Sequence, residues 1–396
     1  MIPSALVADR TTGRPRLLTP AFLFIAFSSL AYFTADGLLI PAVPLLVAGP
    51  LGGDDVAVGI AAGVFPVSAL LLRPFTGRLG DRRGRRLLML TGASLFALSV
   101  AAYAFARSVA WLIPMRMLTG AGEAFFFVGA AAAISDLAPP ERRGEALSFF
   151  SLSLYTGIGI GPLIGEALIE GGRGFTATWL TGAAIALLAV ALAVPVPETR
   201  PEVDASVRTR RYVVHPAGLL PGSALFASVL GMSGFFAFTA LYARRDLGLS
   251  DSRAVFLLFS AVVILVRALG ARIPDRIGVR RAALGALGLD ALGLTILAVW
   301  TSPLGLYAGV VVFAFGVSLA FPALMAMAIS GAPEAERASA VGTVTAFVDL
   351  AFTGPLILGV VADAWGYPGA FAAGAAIAAV GFLLLFSPAA VRRTAR

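Results

Sequence analysis

Apolar runs of roughly twenty residues recur along almost the whole chain, separated by short polar breaks, and no other feature narrows its folding so sharply. A helix needs roughly 20 apolar residues to cross a hydrocarbon core about 30 Å thick. Runs of that length fall near 20–47, 57–77, 87–106, 110–134, 146–168 and 175–196, and resume near 217–242, 253–271, 280–300, 304–330, 339–361 and 369–387. Backbone polar groups in lipid must bond within the protein, so a spanning segment is a helix or part of a closed barrel, and barrel strands would alternate over about ten residues instead. The expectation is an all-α membrane protein with twelve spanning helices, six plus six. A chain that is 59% hydrophobic and 13% charged could not hide such runs in a water-soluble fold. The first run, after Arg10, Arg14 and Arg16, continues well past the ~15-residue apolar core of a cleaved leader and reads as the first span.

Charge then orients the spans. All 30 basic side chains are Arg; 22 lie in loops on one side and five, Arg107, Arg173, Arg244, Arg245 and Arg253, on the other. The positive-inside rule puts the arginine-rich side and both termini in the cytoplasm, with the plasma membrane of a bacterium as the expected location. The net charge of +8 sits in turns between apolar runs, so it argues topology rather than nucleic-acid binding. Cysteine is absent, which excludes disulfides and thiolate metal sites. The single histidine, His215, falls in a polar stretch and reads as a solvated loop residue; no metal site and no cofactor are expected. No G-x-x-x-x-G-K-[ST] loop is present, and without lysine none could be, which disfavours ATP-driven pumping by this chain.

A constant spacing relates separated places. Sliding GRLGDRRGRR, which starts at Gly77, by 194 positions carries Arg78 onto Arg272, Asp81 onto Asp275, Arg82 onto Arg276, Gly84 onto Gly278 and Arg86 onto Arg280. The same offset carries Arg73 onto Arg267 and Arg143 onto Arg337. Two halves of one design are implied, 1–196 and 217–396, joined by the Pro-, acid- and Arg-rich segment 197–216.

The stretch from Gly77 to Arg86 resembles the signature loop G-x-L-a-D-R-x-G-R-R of the major facilitator superfamily, between spans two and three. RMLTGAGEA, Arg116 to Ala124, resembles that family's span-four motif, and GIGIGPLIGE, Gly157 to Glu166, resembles its exporter motif G-x-x-x-G-P-x-x-G-G of span five, with Glu166 in place of the last glycine. The resemblance implies the twelve-span fold and points to the drug and metabolite:proton antiporter branch. It also implies that Gly77, Asp81, Arg82, Gly84, Arg85 and Arg86, with Asp275 and Arg276 in the second copy, form a conformational latch that meets span eleven in one state. The residues support such roles physically. Gly77 and Gly84 permit a tight turn, and Asp81 among arginines can accept charge-assisted hydrogen bonds. Gly157, Gly161 and Gly165 recur every four residues and let another backbone approach, while Pro162 loosens the helix by removing one N–H.

Charges inside spans point to mechanism, because each costs roughly 2.5–3.5 kcal/mol at the bilayer centre and usually faces a partner or water. Asp36, Arg116, Glu123 and Asp349 are the candidates for proton coupling, with Asp290 weaker because span nine is peripheral in the family it resembles. Arg116 and Glu123, two turns apart, share a helix face, which makes Arg116 the expected fixed charge beside Glu123. Pro41 and Pro44 shortly after Asp36 would allow an irregular helix there. Tyr32, Phe33, Phe126, Tyr155, Phe235, Phe236 and Tyr242 lie on spans that line the central cavity in that family, and are the expected substrate contacts.

No catalytic constellation is legible, so the expected function is secondary active transport rather than an enzyme's. The leading expectation is proton-coupled efflux of small hydrophobic or amphipathic compounds by alternating access, by a monomer whose partners are the substrate, protons and the lipid bilayer. A proton symporter importing a sugar or organic acid is the alternative; a membrane-embedded enzyme or a receptor is disfavoured by the two-half repeat.

Overall fold

A computed structural model describes residues 17–139, 142–199, 214–270, 277–333 and 336–386. All regular structure among them is helical. The first half contributes α1 (Pro20–Ala48), α2 (Asp55–Arg83), α3 (Arg85–Ala102), α4 (Val109–Asp136), α5 (Arg143–Glu170) and α6 (Gly174–Ala193). The second contributes α7 (Pro216–Arg245), α8 (Arg253–Gly270), α9 (Val279–Val299), α10 (Pro303–Ser330), α11 (Arg337–Ala351) and α12 (Pro355–Phe386).

The 194-residue repeat is written into the helix starts. α3 and α9 begin at Arg85 and Val279, α4 and α10 at Val109 and Pro303, α5 and α11 at Arg143 and Arg337. Their caps repeat as well. Gly84 and Gly278 precede α3 and α9 with φ of 100° and 88°, a left-handed backbone that glycine adopts without a Cβ penalty. Ser108 and Ser302 each accept from the N–H three residues on, at 3.2 and 3.1 Å, and so satisfy one of the orphan donors at a helix start. Two equal units, each folding its own ends in the same way, follow from these residues.

Ten segments among the described residues are long and apolar enough to span. The last, Ser339–Phe386, is 48 residues long and reverses at Gly366, whose φ is 69°, so it supplies two crossings. With α8 the set is consistent with the expected twelve. Helices α1–α6 pack chiefly on one another, as do α7–α12; the two sets meet where α2 lies against α11 and α12, where α5 lies against α8, and where α1 lies against α7.

Two local readings change. Helix α1 runs unbroken through Asp36, Pro41 and Pro44, whereas the eleventh span is the interrupted one: α11 stops at Ala351 and a turn over 352–354 precedes Pro355. His215 is no solvated loop residue. It is buried, caps α7 by accepting from the Ala217 N–H at Nδ1 (3.2 Å), and holds Glu336 at Nε2 (3.0 Å). With Nδ1 as acceptor, the neutral ring carries its proton on Nε2 and donates it to the carboxylate.

The span-five glycines perform the packing that their spacing predicts. A Cβ on Gly157 or Gly161 would collide with the α1 backbone at Phe33, Thr34, Gly37 and Leu38, and one on Gly165 would come 3.0 Å from the Leu38 carbonyl. Helices α1 and α5 touch backbone to backbone. The helix passes through Pro162 without interruption.

Candidate functional site

The site is built at the seams between the two halves, and its centre is an arginine. Arg73, on α2, places Nη1 2.5 Å from Asp349 Oδ1 on α11 and Nη2 3.2 Å from Glu123 Oε1 on α4. The Asp349 and Glu123 side chains are 8% and 13% exposed, so these pairs are held largely away from water. The guanidinium also lies 5.0 Å from the centroid of the Phe127 ring, an apolar wall with a negative face. Glu123 stands midway along α4, and Asp349 ends its helix beside the break in the eleventh span. One cation therefore holds two acids, one from its own half and one from the other.

Arg116 is not the partner of Glu123. Its Nε donates to the Ala61 carbonyl at 2.8 Å, its guanidinium covers the Phe65 ring at 4.9 Å, and Nη1 reaches the Tyr103 hydroxyl at 3.5 Å. Tyr103 bonds in turn to Thr119, and Thr119 to Ser99 at 3.0 Å. Two turns of helix put Arg116 and Glu123 on one face, and both meet α2, but at different levels: Arg116 at Ala61 and Glu123 at Arg73. Asp36 feels the charges of Arg116 and Glu123 and keeps part of its surface open. Asp290 is structural here: it is buried and accepts from the Ser228 hydroxyl at 2.5 Å, joining α9 to α7.

The 194-residue offset exposes a second seam of the same kind. It carries Arg73 onto Arg267 of α8, and Tyr155 of α5 onto Asp349. Arg267 reaches across to Tyr155, with its guanidinium 4.6 Å from the ring centroid and Nη2 3.3 Å from the hydroxyl. Between them, α5 and α8 approach at Gly159 and Ser260.

At the arginine-poor end the halves are tied together by groups that the motif reading passed over. Glu166 is buried; it accepts from the Ser252 N–H at 2.7 Å and from its hydroxyl at 2.5 Å, directly ahead of the start of α8. A carboxylate there satisfies orphan N–H groups and meets the positive end of the helix dipole. Glu170 pairs with Arg244 at 2.7 Å and with Arg253 at 3.1 Å. Asp55 accepts from Tyr367 at 2.7 Å and from Arg245 at 3.1 Å. The departure from glycine at Glu166 was the available signal, since an acid that late in a span needs a partner.

The predicted aromatic contacts are mostly inside the bundles. Tyr32, Phe126, Phe235 and Tyr242 are fully buried and Phe33 is 3% exposed; Tyr32 stacks on Phe126 at 4.0 Å, and Phe235 on Phe259 at 5.3 Å. These rings form the cores of the bundles, whereas Tyr155 and Phe236 are half-buried. In the signature loop, Arg85 pairs with Asp136 at the end of α4 at 3.5 Å and the Arg86 N–H donates to Glu198, after α6, at 3.2 Å. Gly77 makes no turn, since it lies inside α2 with open space where a Cβ would stand, and Arg82 is exposed. Asp275 and Arg276 lie outside the described residues, as does the side chain of Asp81. No cluster of His, Asp and Glu that could hold a metal occurs among the described residues.

Comparison with known proteins now decides the family. The model of the major facilitator superfamily matches residues 25–352 and 224–396. The chain belongs to that superfamily. An uncharacterized MFS-type transporter of Burkholderia mallei is 31% identical over 384 residues, covering 91% of this chain and 89% of that protein. One of Salmonella typhimurium is 30% identical over 378 residues, covering 91% and 94%. Among solved structures, a bacterial homolog of the human lysosomal transporter Spinster, in an inward-facing and occupied conformation, superposes with a TM-score of 0.78 at 16% identity, over 94% of this chain and 96% of that one. The human organic anion transporter MFSD10 gives 0.72 at 19%, over 92% and 99%. The nucleoside transporter NupG gives 0.75 at 12%, over 93% and 100%. This chain is thus a multi-pass membrane transporter of small molecules, not an enzyme, and the likeness to these structures is one of fold.

Proposed function

We propose that this transporter exports small apolar or amphipathic compounds in exchange for protons, by alternating access across the bacterial plasma membrane, as a monomer with both termini in the cytoplasm. The observation that carries the proposal is the triad Glu123–Arg73–Asp349. Two acids share one guanidinium at membrane depth, so one carboxyl is in excess of the available charge, and charge is expensive in that setting. A proton on either acid brings the group to neutrality. Because Arg73 and Asp349 belong to different halves, separating the halves strips Asp349 of its cation, and protonation lowers the cost of doing so. Proton binding and the rocking of the two halves are therefore coupled through one bond. Asp36 feels the charges of Arg116 and Glu123 and is the neighbouring acid through which the triad can be influenced.

The ties at the arginine-poor end, Glu166 with Ser252, Glu170 with Arg244 and Arg253, and Asp55 with Arg245 and Tyr367, fit a closed external gate with access from the cytoplasm. Apolar walls and few polar groups favour an apolar or amphipathic cargo over a sugar, which needs many hydrogen-bonding partners. The relatives whose cargo is named carry organic anions and nucleosides, so the fold alone does not select a cargo.

The test is a compound screen in inverted membrane vesicles with a proton-flux readout. Compounds should accumulate in the lumen only with an inward-acid pH gradient, and each transported compound should dissipate that gradient. Asp36→Asn or Glu123→Gln should abolish uphill accumulation while substrate counterflow persists. Accumulation that is independent of the pH gradient, or that survives in the double variant with proton movement intact, would overturn the reading.

A further inference from the structure

Arg267 is a cation without an acid. Among the described residues no carboxylate lies within 4 Å of its guanidinium, whereas its repeat-mate Arg73 holds two. Its Nη2 has only the Tyr155 hydroxyl, at 3.3 Å, and its Nε is buried with no hydrogen-bond partner. Seven residues earlier on the same face of α8, the Ser260 hydroxyl is also buried, 2% exposed, and without a partner. The facing positions on α5 are Gly159, which has no side chain, and Tyr155, which stands where the other half carries Asp349. The α5/α8 seam thus presents two unfulfilled donors and a full positive charge between the halves, in apolar surroundings that include Leu257 opposite Gly159.

Physical chemistry makes that arrangement unfinished. A guanidinium taken out of water needs a counter-charge, and a phenol ring with its hydroxyl offsets only part of the loss. The same scaffold completes the Arg73 seam with its own carboxylates, so an acid at position 155 was sterically available to this fold. Leaving tyrosine there keeps the cation for an anion that comes and goes.

We propose that Arg267 and Tyr155 form an anion subsite, which takes the carboxylate, sulfonate or phosphate of an amphipathic molecule whose apolar body lies along α5 and α8. The planar fork of the guanidinium matches the two oxygens of such a group, and the Tyr155 hydroxyl adds a third donor. The inference rests on the export reading only in taking this molecule to be the cargo. The same chemistry belongs to an anionic lipid headgroup entering the seam, and the test separates the two.

The full chain, purified into nanodiscs of phosphatidylcholine with no gradient present, is titrated with 1-naphthoate, decanoate and benzenesulfonate, each against its neutral amide, and binding is read from the thermal unfolding midpoint. At least one anion should bind saturably and at least tenfold more tightly than its amide. Arg267→Gln should weaken that anion at least tenfold, Arg267→Lys should recover part of the loss, and Tyr155→Phe should weaken it several-fold, which keeps the test open if the glutamine variant folds poorly. Equal affinity for anion and amide, unchanged anion affinity in the Arg267 variants, or no binding of any of the three anions would overturn the subsite. Adding phosphatidylglycerol provides the second arm. Competitive, Arg267-dependent displacement of the anions by this lipid would assign the site to a headgroup and overturn the cargo assignment; no displacement supports it. Anion binding at Arg267 in a protein that moves no protons would leave the subsite standing and remove the coupling reading alone.

Discussion

The seam of α2 with α11 and the seam of α5 with α8 are two copies of one junction. In each, an arginine late in a span of one half reaches across to a residue of the other half, and the two junctions exchange under the same 194-residue shift. They differ in what the arginine meets: Asp349 at 2.5 Å, with Glu123 behind it, in the first, and the Tyr155 ring and hydroxyl in the second. Carboxylates exchange protons at accessible pH and phenols do not, so only the first junction can be strengthened or released by a proton. The second has a constant strength and a cation to spare. The repeat supplied two matching junctions, and differences at two register positions, Asp349 against Tyr155 and Glu123 against Val317, gave them different chemistry.

Arg73→Gln should break this contrast most severely. It leaves Glu123 and Asp349 facing each other across the seam without a counter-charge, and removing one member of a buried pair costs about 3–5 kcal/mol. Uphill export driven by a pH gradient in inverted vesicles should fall at least ~100-fold, by the same scale of energy, and the thermal midpoint should drop. Wild-type uphill rates in this variant would show that the triad takes no part in coupling. Asp349→Asn is milder, since it keeps the shape and removes only the titrating group. Its uphill transport should lose its dependence on the pH gradient, while counterflow stays within a few-fold of wild type. Retention of gradient-driven accumulation would place the coupling acid elsewhere.

The arginine-poor ends of the two seams can be compared next. At the first, Gly59 of α2 meets Pro355 and Gly359 of α12 so closely that a Cβ would collide with backbone. At the second, Glu166 caps Ser252. Glu166→Ala removes a charge-assisted cap worth about 0.5–2 kcal/mol, and Gly59→Leu wedges the other side open. The chain has no cysteine, so Ser260→Cys, buried in the α5/α8 seam at 2% exposure, provides a clean alkylation probe for membrane-impermeant maleimide. Labelling should accelerate roughly 2- to 30-fold with Glu166→Ala, the range that follows from that energy, and more with Gly59→Leu. Unchanged labelling in both variants would mean that these contacts do not hold the gate shut.

Much of this was legible from the residues alone. The spans follow from apolar length, and the repeat follows from paired arginine turns; both depend on local sequence, which is why the helix starts at Arg85, Arg143, Val279 and Arg337 obey the 194-residue shift. The α1–α5 contact was legible because glycines at every fourth position have one physical use. What could not be read was which group stands opposite. Arg116 and Glu123 share a face of α4, and both meet α2, yet one turns to the Ala61 carbonyl and the other to Arg73, two levels fixed by the packing of α2 against α4. Arg73 itself stood out only as the mate of Arg267. His215 carried no periodic signal, so nothing in the sequence marked it as a buried cap. A spanning helix has an inner and an outer face at once, and composition does not say that Tyr32 is fully buried while Phe236 is only half-buried.

The smallest effect belongs to the arginine-poor end of the α5/α8 seam, where Asp251 precedes α8. Arg253 donates to it at 2.5 Å from the side chain and at 3.1 Å from the backbone, and these bonds hold its carboxyl below the usual aspartate range. A carboxyl whose folded pKa is depressed adds stability that is complete above its unfolded value, about 3.9, and that is lost as pH falls through the lower folded value. The pair is substantially exposed and is screened by water and salt, so its contribution at neutral pH is at most about 1 kcal/mol. Asp251→Asn should therefore lower the thermal midpoint by no more than a few degrees at pH 7, with the difference shrinking toward zero below about pH 3 and in high salt. It should also leave gradient-driven export unchanged, because Glu170 still holds Arg253 at 3.1 Å and Glu166 still caps Ser252. A difference that persists undiminished in acid would mean that Asp251 acts through its backbone contacts, as a cap for α8, and not through its charge. An export rate that falls with it would place this pair in the gate itself, and the arginine-poor ends of the two seams would then be alike in function as well as in origin.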